Sequence, residues 1–175
     1  MKSFLCLLLL ANFALAAAPS PYAGEQTRAI KALSEGEIST LLGGHGMGLA
    51  RAAELNSYPG PRHVLDLGDE LKLTAAQVTE LNRVFDAMKA AAIPLGRELI
   101  ARETELDRLF TGKLATADAV RALTREIGRL QGELRAVHLN AHVATVGILR
   151  AEQIARYDAL RGYADAAPTP PAPKP

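Results

Sequence analysis

Two long stretches of the chain carry apolar residues at alternating steps of three and four. The first stretch has Val78, Leu81, Phe85, Met88, Ala92, Leu95, Leu99, Leu106 and Leu109, interrupted only by Arg102. The second has Val120, Leu123, Ile127, Leu130, Leu134, Val137, Ala141, Ala144 and Ile148. This spacing is typical of helices that pack along a seam. It predicts an all-α fold built on a long antiparallel helical hairpin.

Local signals predict where the two helices begin and end. Thr74 and Gln77 are spaced as a capping box, in which each side chain bonds to the other residue's backbone amide, so the first helix is expected to begin there and to end near Phe110. Pro94 lies inside it and is expected to bend it, because proline removes one backbone hydrogen bond. Thr116 is placed to cap the second helix, predicted from Ala117 to Leu149.

Shorter helical patterns flank the hairpin. Ser34 and Glu37 form another capping-box pattern, whereas the glycines of residues 43–48 and the Pro-Gly-Pro run of residues 59–61 interrupt the helical pattern. We therefore expect short helices after Ser34, at residues 49–56, at residues 63–71 and at residues 152–163.

Both ends of the chain differ in composition from the predicted hairpin. Lys2, an apolar run and the A-x-A pattern ending at Ala16 predict a signal peptide over residues 1–16 and export to the periplasm, with an uncleaved anchor as the alternative. Cleavage would remove Cys6, the chain's one cysteine. The domains expected are 1–16 signal peptide, 17–39 leader and short helix, 40–163 helical domain, and 164–175 disordered Pro/Ala tail.

The charge is balanced, with 20 basic and 19 acidic residues and a formal net charge of +1. No overall field would attract nucleic acid, so no nucleic-acid partner is expected. Arginines line the hairpin beside glutamates, which indicates either a solvated ion-paired face or a basic binding surface. The arginines are Arg97, Arg102, Arg108, Arg121, Arg125, Arg129 and Arg135, and the glutamates are Glu98, Glu105, Glu126 and Glu133.

His138 and His142 are the best candidates for chemistry in this chain. They are four residues apart on a predicted helix, so their imidazoles share one face, and this spacing can chelate a divalent transition metal. The apolar repeat places Val137 and Ala141 in the seam and the histidines beside it. The alternative is a pair of surface histidines on an Ala-rich helix.

Two imidazoles fall short of the three or four ligands that such ions usually have. The remaining ligands could come from a partner subunit, from the region of Asp86, or from His45 and His63. His45 and Met47 could bind a soft ion, although a flexible glycine hinge is the simpler interpretation of their segment. His63 could instead pack at the start of a helix.

The familiar enzyme motifs are missing from the sequence. Residues 138–142 resemble H-E-x-x-H in their spacing, but Leu139 replaces the glutamate that acts as general base. The glycine-rich segment lacks the Gly-Lys-Ser/Thr of a phosphate loop, and no G-x-S-x-G occurs. A non-enzymatic protein is therefore expected, with a metal-dependent hydrolase as the least favoured alternative.

The start of the first long helix resembles the LTxxQ motif of the Spy/CpxP family, and a partial second copy stands near the end of the hairpin, where Arg150 replaces the threonine. Residues 46–65 also look like the corresponding region of the family's periplasmic heavy-metal-sensor branch. The matching motif residues are Leu73, Thr74 and Gln77 in the first copy, and Leu149 and Gln153 in the second.

The resemblance implies a bent four-helix fold that often dimerises into a shallow cradle. It implies a non-enzymatic periplasmic stress protein for heavy-metal sensing or resistance, which would bind Zn, Ni, Co or Cu. The alternative that it implies is a periplasmic chaperone for unfolded proteins. The expected partners are a second copy of the chain, and either unfolded clients or a membrane signalling protein.

Overall fold

The computed structural model describes residues 20–164, so the predicted signal peptide and residues 165–175 of the predicted tail lie outside the described part. After a 3-10 turn at Glu25–Thr27, the helices are α1 (Glu35–Leu42), α2 (Arg51–Glu54), α3 (Pro61–Asp66), α4 (Ala75–Thr111), α5 (Ala117–Val146) and α6 (Ala151–Leu160). The predicted all-α fold is confirmed. None of the helices between residues 20 and 164 combines the length and the apolar character needed to cross a membrane.

Helices α4 and α5 form the predicted hairpin, with 37 and 30 residues. The Thr74 hydroxyl accepts a hydrogen bond from the Gln77 amide at 3.2 Å, and the Thr116 hydroxyl accepts one from the Ala119 amide at 3.2 Å. Both predicted caps are therefore confirmed. Pro94 lies inside α4, which continues on both sides of it.

The buried face of α5 departs from the predicted seam in its second half. The buried positions are Ile127, Leu130, Leu134, His138, Ala141 and Thr145. His138 and Thr145 thus replace the predicted Val137 and Ala144, and the expectation that His138 lies beside the seam is wrong. The reason is the period of the helix, since 3.6 residues per turn drift away from a strict seven-residue repeat and call for an occasional extra step of four.

Helix α1 crosses α4 at Gly96. A Cβ atom placed on Gly96 would lie 2.5 Å from the carbonyl oxygen of Leu41, so only glycine allows this approach. Leu41 is buried there among apolar residues of α4 and α5. This crossing fixes the direction in which the chain leaves α1. Helix α1 also spans the predicted domain boundary between residues 39 and 40.

A second group of buried residues closes the open end of the hairpin. Val64 of α3, Leu71, Leu81 of α4 and Tyr157 of α6 pack together, with Leu73 and Leu149 against them.

The short helices have fewer residues than the sequence predicts. Helix α3 begins at a proline in its first turn, which favours helix initiation. The predicted homodimer stays a prediction.

The two copies of the motif interlock through their glutamines. Gln77 Nε2 donates to Gln153 Oε1 at 2.8 Å, and Gln153 Nε2 donates to Gln77 Oε1 at 3.1 Å. The Gln153 amide also donates to the Leu71 carbonyl at 3.1 Å, and Gln153 Oε1 accepts from the Arg150 amide at 2.9 Å. Arg150 provides no side-chain cap, because a guanidinium has no acceptor for the backbone amides. The glutamine pair therefore joins the start of α4 to the start of α6.

We expect Gln153→Leu to lower the free energy of unfolding by about 2 kcal/mol, because it leaves the buried Leu71 carbonyl without its donor and removes both bonds between the two glutamines. Urea denaturation followed by circular dichroism measures the effect. Gln131→Leu, on the exposed face of α5, is the matched control and should change stability by less than about 0.5 kcal/mol. Equal losses in the two variants would contradict this role of the glutamine pair.

Candidate functional site

A cavity of about 510 Å³ lies between the α1–α2 loop, the short helices and the middle of the hairpin. The loop is residues 43–50, and it passes over one face of α5. All four histidines of the chain line this cavity: His45, His63, His138 and His142. Positions that are far apart in sequence are therefore gathered at one place.

His138 is the most buried of the four, with 3% of its surface exposed. Its Nε2 atom is buried and has no hydrogen-bond partner. Burial lowers the pKa of His138, and the nearby His142 and His45 lower it further. The imidazole is therefore held neutral, which is the form that binds metal ions.

His142 is oriented by the backbone of the α2–α3 connection. Its Nδ1 lies 2.6 Å from the Tyr58 carbonyl oxygen, which can only accept, so Nδ1 carries the proton. In the neutral ring, Nε2 then keeps its lone pair. A Cβ atom on Gly60 would lie 2.8 Å from this Nε2. Histidine ligands in metal sites are commonly fixed by such a hydrogen bond from the second nitrogen.

Glycines bring the α1–α2 loop against the histidines. A Cβ atom on Gly46 would lie 3.3 Å from His138 Nδ1, and one on Gly43 would lie 2.8 Å from His45 Nε2. Met47 has φ 46°, a left-handed conformation that is uncommon for residues other than glycine. The loop thus places His45 and Met47 above α5 in a conformation with some strain.

Glu54 connects this side of the cavity to α6. Its Oε1 accepts hydrogen bonds from the hydroxyls of Tyr157 at 2.5 Å and Tyr163 at 3.2 Å, and Arg161 Nε lies 3.6 Å away. Burial and the adjacent carboxylate raise the pKa of Tyr157, so its hydroxyl stays a donor. These four residues, the Glu54 cluster, attach α2 to α6 and to the residues directly after it.

The Glu54 carboxylate also lies close to two of the histidines. His63 Nδ1 is 3.7 Å from Oε1, and His142 Nδ1 is 3.8 Å from Oε2. Oε2 is buried and has no hydrogen-bond partner. A carboxylate beside imidazoles favours any cation bound between them.

The donor types suit a transition metal, but the ligands are not assembled around one point. Within residues 20–164, no three His, Cys, Asp or Glu side chains are close enough together to hold a metal ion. His138 and His142 are fixed on α5, whereas His45 and His63 are exposed at the rim. Asp86, considered as a source of ligands, is exposed and does not line the cavity. Phe85 and Met88 of α4 line it instead.

Sequence reasoning missed Glu54 and its tyrosine partners. Helix α2 has only four residues, too few for a helical period to show which way Glu54 points. Met88 was placed in the apolar stripe, and its position on the cavity depends on the α1–α2 loop. No local sequence pattern predicts these contacts, because they depend on how the short helices cross the hairpin.

We expect the stability of the protein to fall as the pH is lowered from about 7 to 5, because the unfolded chain protonates His138 near its ordinary pKa of about 6.5, before the folded protein does. His138→Asn should flatten this part of the profile of unfolding free energy against pH. Asn140→Ala, an exposed neighbour on α5 that carries no titratable group, is the control and should leave the slope as in the wild type. A slope unaffected by His138→Asn would contradict the neutral, buried imidazole.

Comparison with known proteins identifies the family. The family model described as LTXXQ motif family protein matches residues 62–161, which include both copies of the motif. No curated protein and no solved structure matches the chain. Spy/CpxP-type proteins of this family are usually periplasmic and generally non-enzymatic. With a match over more than half of its length, the chain belongs to the LTXXQ motif family.

Proposed function

We propose that this protein is an exported, non-enzymatic stress protein that binds a transition-metal ion in the cavity beside α5. The observation that carries the proposal is that the chain's four histidines all line this one cavity. A set of solvated surface histidines has no reason to gather at one place. A role in heavy-metal sensing or resistance would follow from such binding in a protein of this family.

Two of the proposed ligands are held ready on α5. His138 is neutral with an unpartnered Nε2, and His142 is oriented through its Nδ1 with Nε2 free to coordinate. A buried polar atom without a partner costs about 1–3 kcal/mol, a cost that a bound ion would remove. The remaining ligands come from His45 or His63 at the rim, after a shift of the loop or of the side chain.

Titration of the metal-free protein with Zn²⁺, Ni²⁺, Co²⁺ and Cu²⁺ tests the proposal, by calorimetry and by the visible absorption of bound Co²⁺. We expect one ion per site, and a loss of affinity of about a hundredfold or more in the double variant His138→Ala and His142→Ala. His45→Ala alters only an exposed side chain and should lower the affinity by about tenfold.

Asn140→Ala is the matched control, because this exposed residue lies between the two histidines on α5. Circular dichroism of each variant establishes that α5 is still formed. If the wild type and the folded histidine variants bind these ions equally weakly, the metal proposal is refuted.

A chaperone role is the second candidate, and exposed apolar side chains on the hairpin favour it. Phe110, Leu114 and Val143 are 55%, 70% and 58% exposed. The basic surface contributes less to this hypothesis than the sequence suggested, because Arg129 is paired with Glu126 and Glu133. A client would therefore be held mainly by apolar contact.

For a chaperone, we expect the metal-free protein to suppress the aggregation of a chemically denatured client, measured by light scattering. Changing Phe110, Leu114 and Val143 to serine should weaken the suppression several-fold because it removes three of the most exposed apolar side chains. The double histidine variant should retain it. Suppression that is undiminished by the triple serine change would contradict this role for the exposed residues.

A further inference from the structure

Methionines, like the histidines, are gathered at the cavity. The sequence contains three methionines, and both that follow Met1 line the cavity. Met47 comes from the α1–α2 loop, and Met88 comes from α4 on the opposite wall. Three separate elements thus bring imidazole and thioether groups to one place.

The position of Met47 is not that of a residue that fills a core. It is 46% exposed, and its backbone has a positive φ that glycine adopts at lower cost. An apolar role would favour burial, and a loop role would favour glycine or asparagine. A thioether that serves as a ligand at the cavity accounts for a methionine at this exposed, conformationally costly position.

The available donors are mostly soft and neutral. No three histidine or acidic side chains in the described part of the chain form a group, so imidazole and carboxylate alone do not form a ready-made site. Among the described residues, Glu54 is the one acidic residue that lines the cavity; its Oε1 already accepts from two tyrosine hydroxyls, and its Oε2 has no hydrogen-bond partner. Thioethers select copper(I), and neutral imidazole is compatible with them.

We propose that the ion bound in this cavity is copper(I), and that the thioethers of Met47 and Met88 complete the site that His138 and His142 begin. This inference rests on the proposed metal-binding function and assigns the ion. Gly44 and Gly48, on either side of Met47, adopt positive φ values that favour glycine, and Gly46 between them lies against His138.

Competition between the full-length protein and a chromophoric copper(I) chelator tests the assignment, without oxygen and with ascorbate to keep the copper reduced. The variants are Met47→Leu, Met88→Leu and the double change, since leucine and methionine have similar volumes and such exchanges usually cost little stability. We expect the double variant to lose copper(I) affinity by about a hundredfold, and each single variant by about tenfold. X-ray absorption at the copper edge should show sulfur ligands in the wild type and not in the double variant.

Zn²⁺ and Co²⁺ titrations of the same variants separate ion choice from damage to the cavity. The affinity of each methionine variant for Zn²⁺ and Co²⁺ should stay within about twofold of the wild type, because these ions rely on the imidazoles. Leu55→Ala, an exposed apolar residue on the same cavity, is the matched control and should leave copper(I) binding unchanged.

The outcomes distinguish this inference from the function on which it rests. If the double methionine variant keeps wild-type copper(I) affinity while the histidine variants lose theirs, the assignment of the thioethers is overturned and the metal site stands. If the methionine variants lose all ions equally, selectivity for copper(I) is overturned. If the wild type binds none of the ions, both proposals fail.

Discussion

The reciprocal amide pair of Gln77 and Gln153 is the interaction on which the rest of the arrangement depends. Each glutamine accepts from the backbone amide at the start of its own helix and donates to the other glutamine. The pair is largely enclosed, where hydrogen bonds are stronger than in water. Two helix starts that are more than seventy residues apart are thereby held in a fixed relation.

The position of α6 carries this constraint to the cavity. With α6 fixed, Tyr157 is fully buried and its hydroxyl reaches Glu54. Glu54 in turn holds α2, and α2 ends the loop that passes over His138. The motif glutamines and the candidate metal ligands are thus connected through one chain of hydrogen bonds and packing contacts. A change at the glutamine pair should therefore alter the arrangement of the cavity as well as the stability of the fold.

The sequence predicts the elements of this fold better than their crossings. Caps at Thr74 and Thr116 are local signals, and the structure has both. The burial of His138 was missed because a seven-residue repeat was extended over a helix with 3.6 residues per turn. The sequence leaves the approach of His45 and His63 to α5 as one option among several, because no periodicity encodes the Leu41–Gly96 crossing that positions the α1–α2 loop.

The burial of His138 argues for function rather than for packing. Position 138 faces the core, where leucine would bury more apolar surface and leave no unpartnered nitrogen. Gly46 and Gly60 cover His138 and His142 so closely that a side chain at either position would meet the rings. A chain selected for stability alone would gain from an apolar residue at position 138. Departures of this kind from local rules are expected where a site must bind something, and here they coincide on one face of α5.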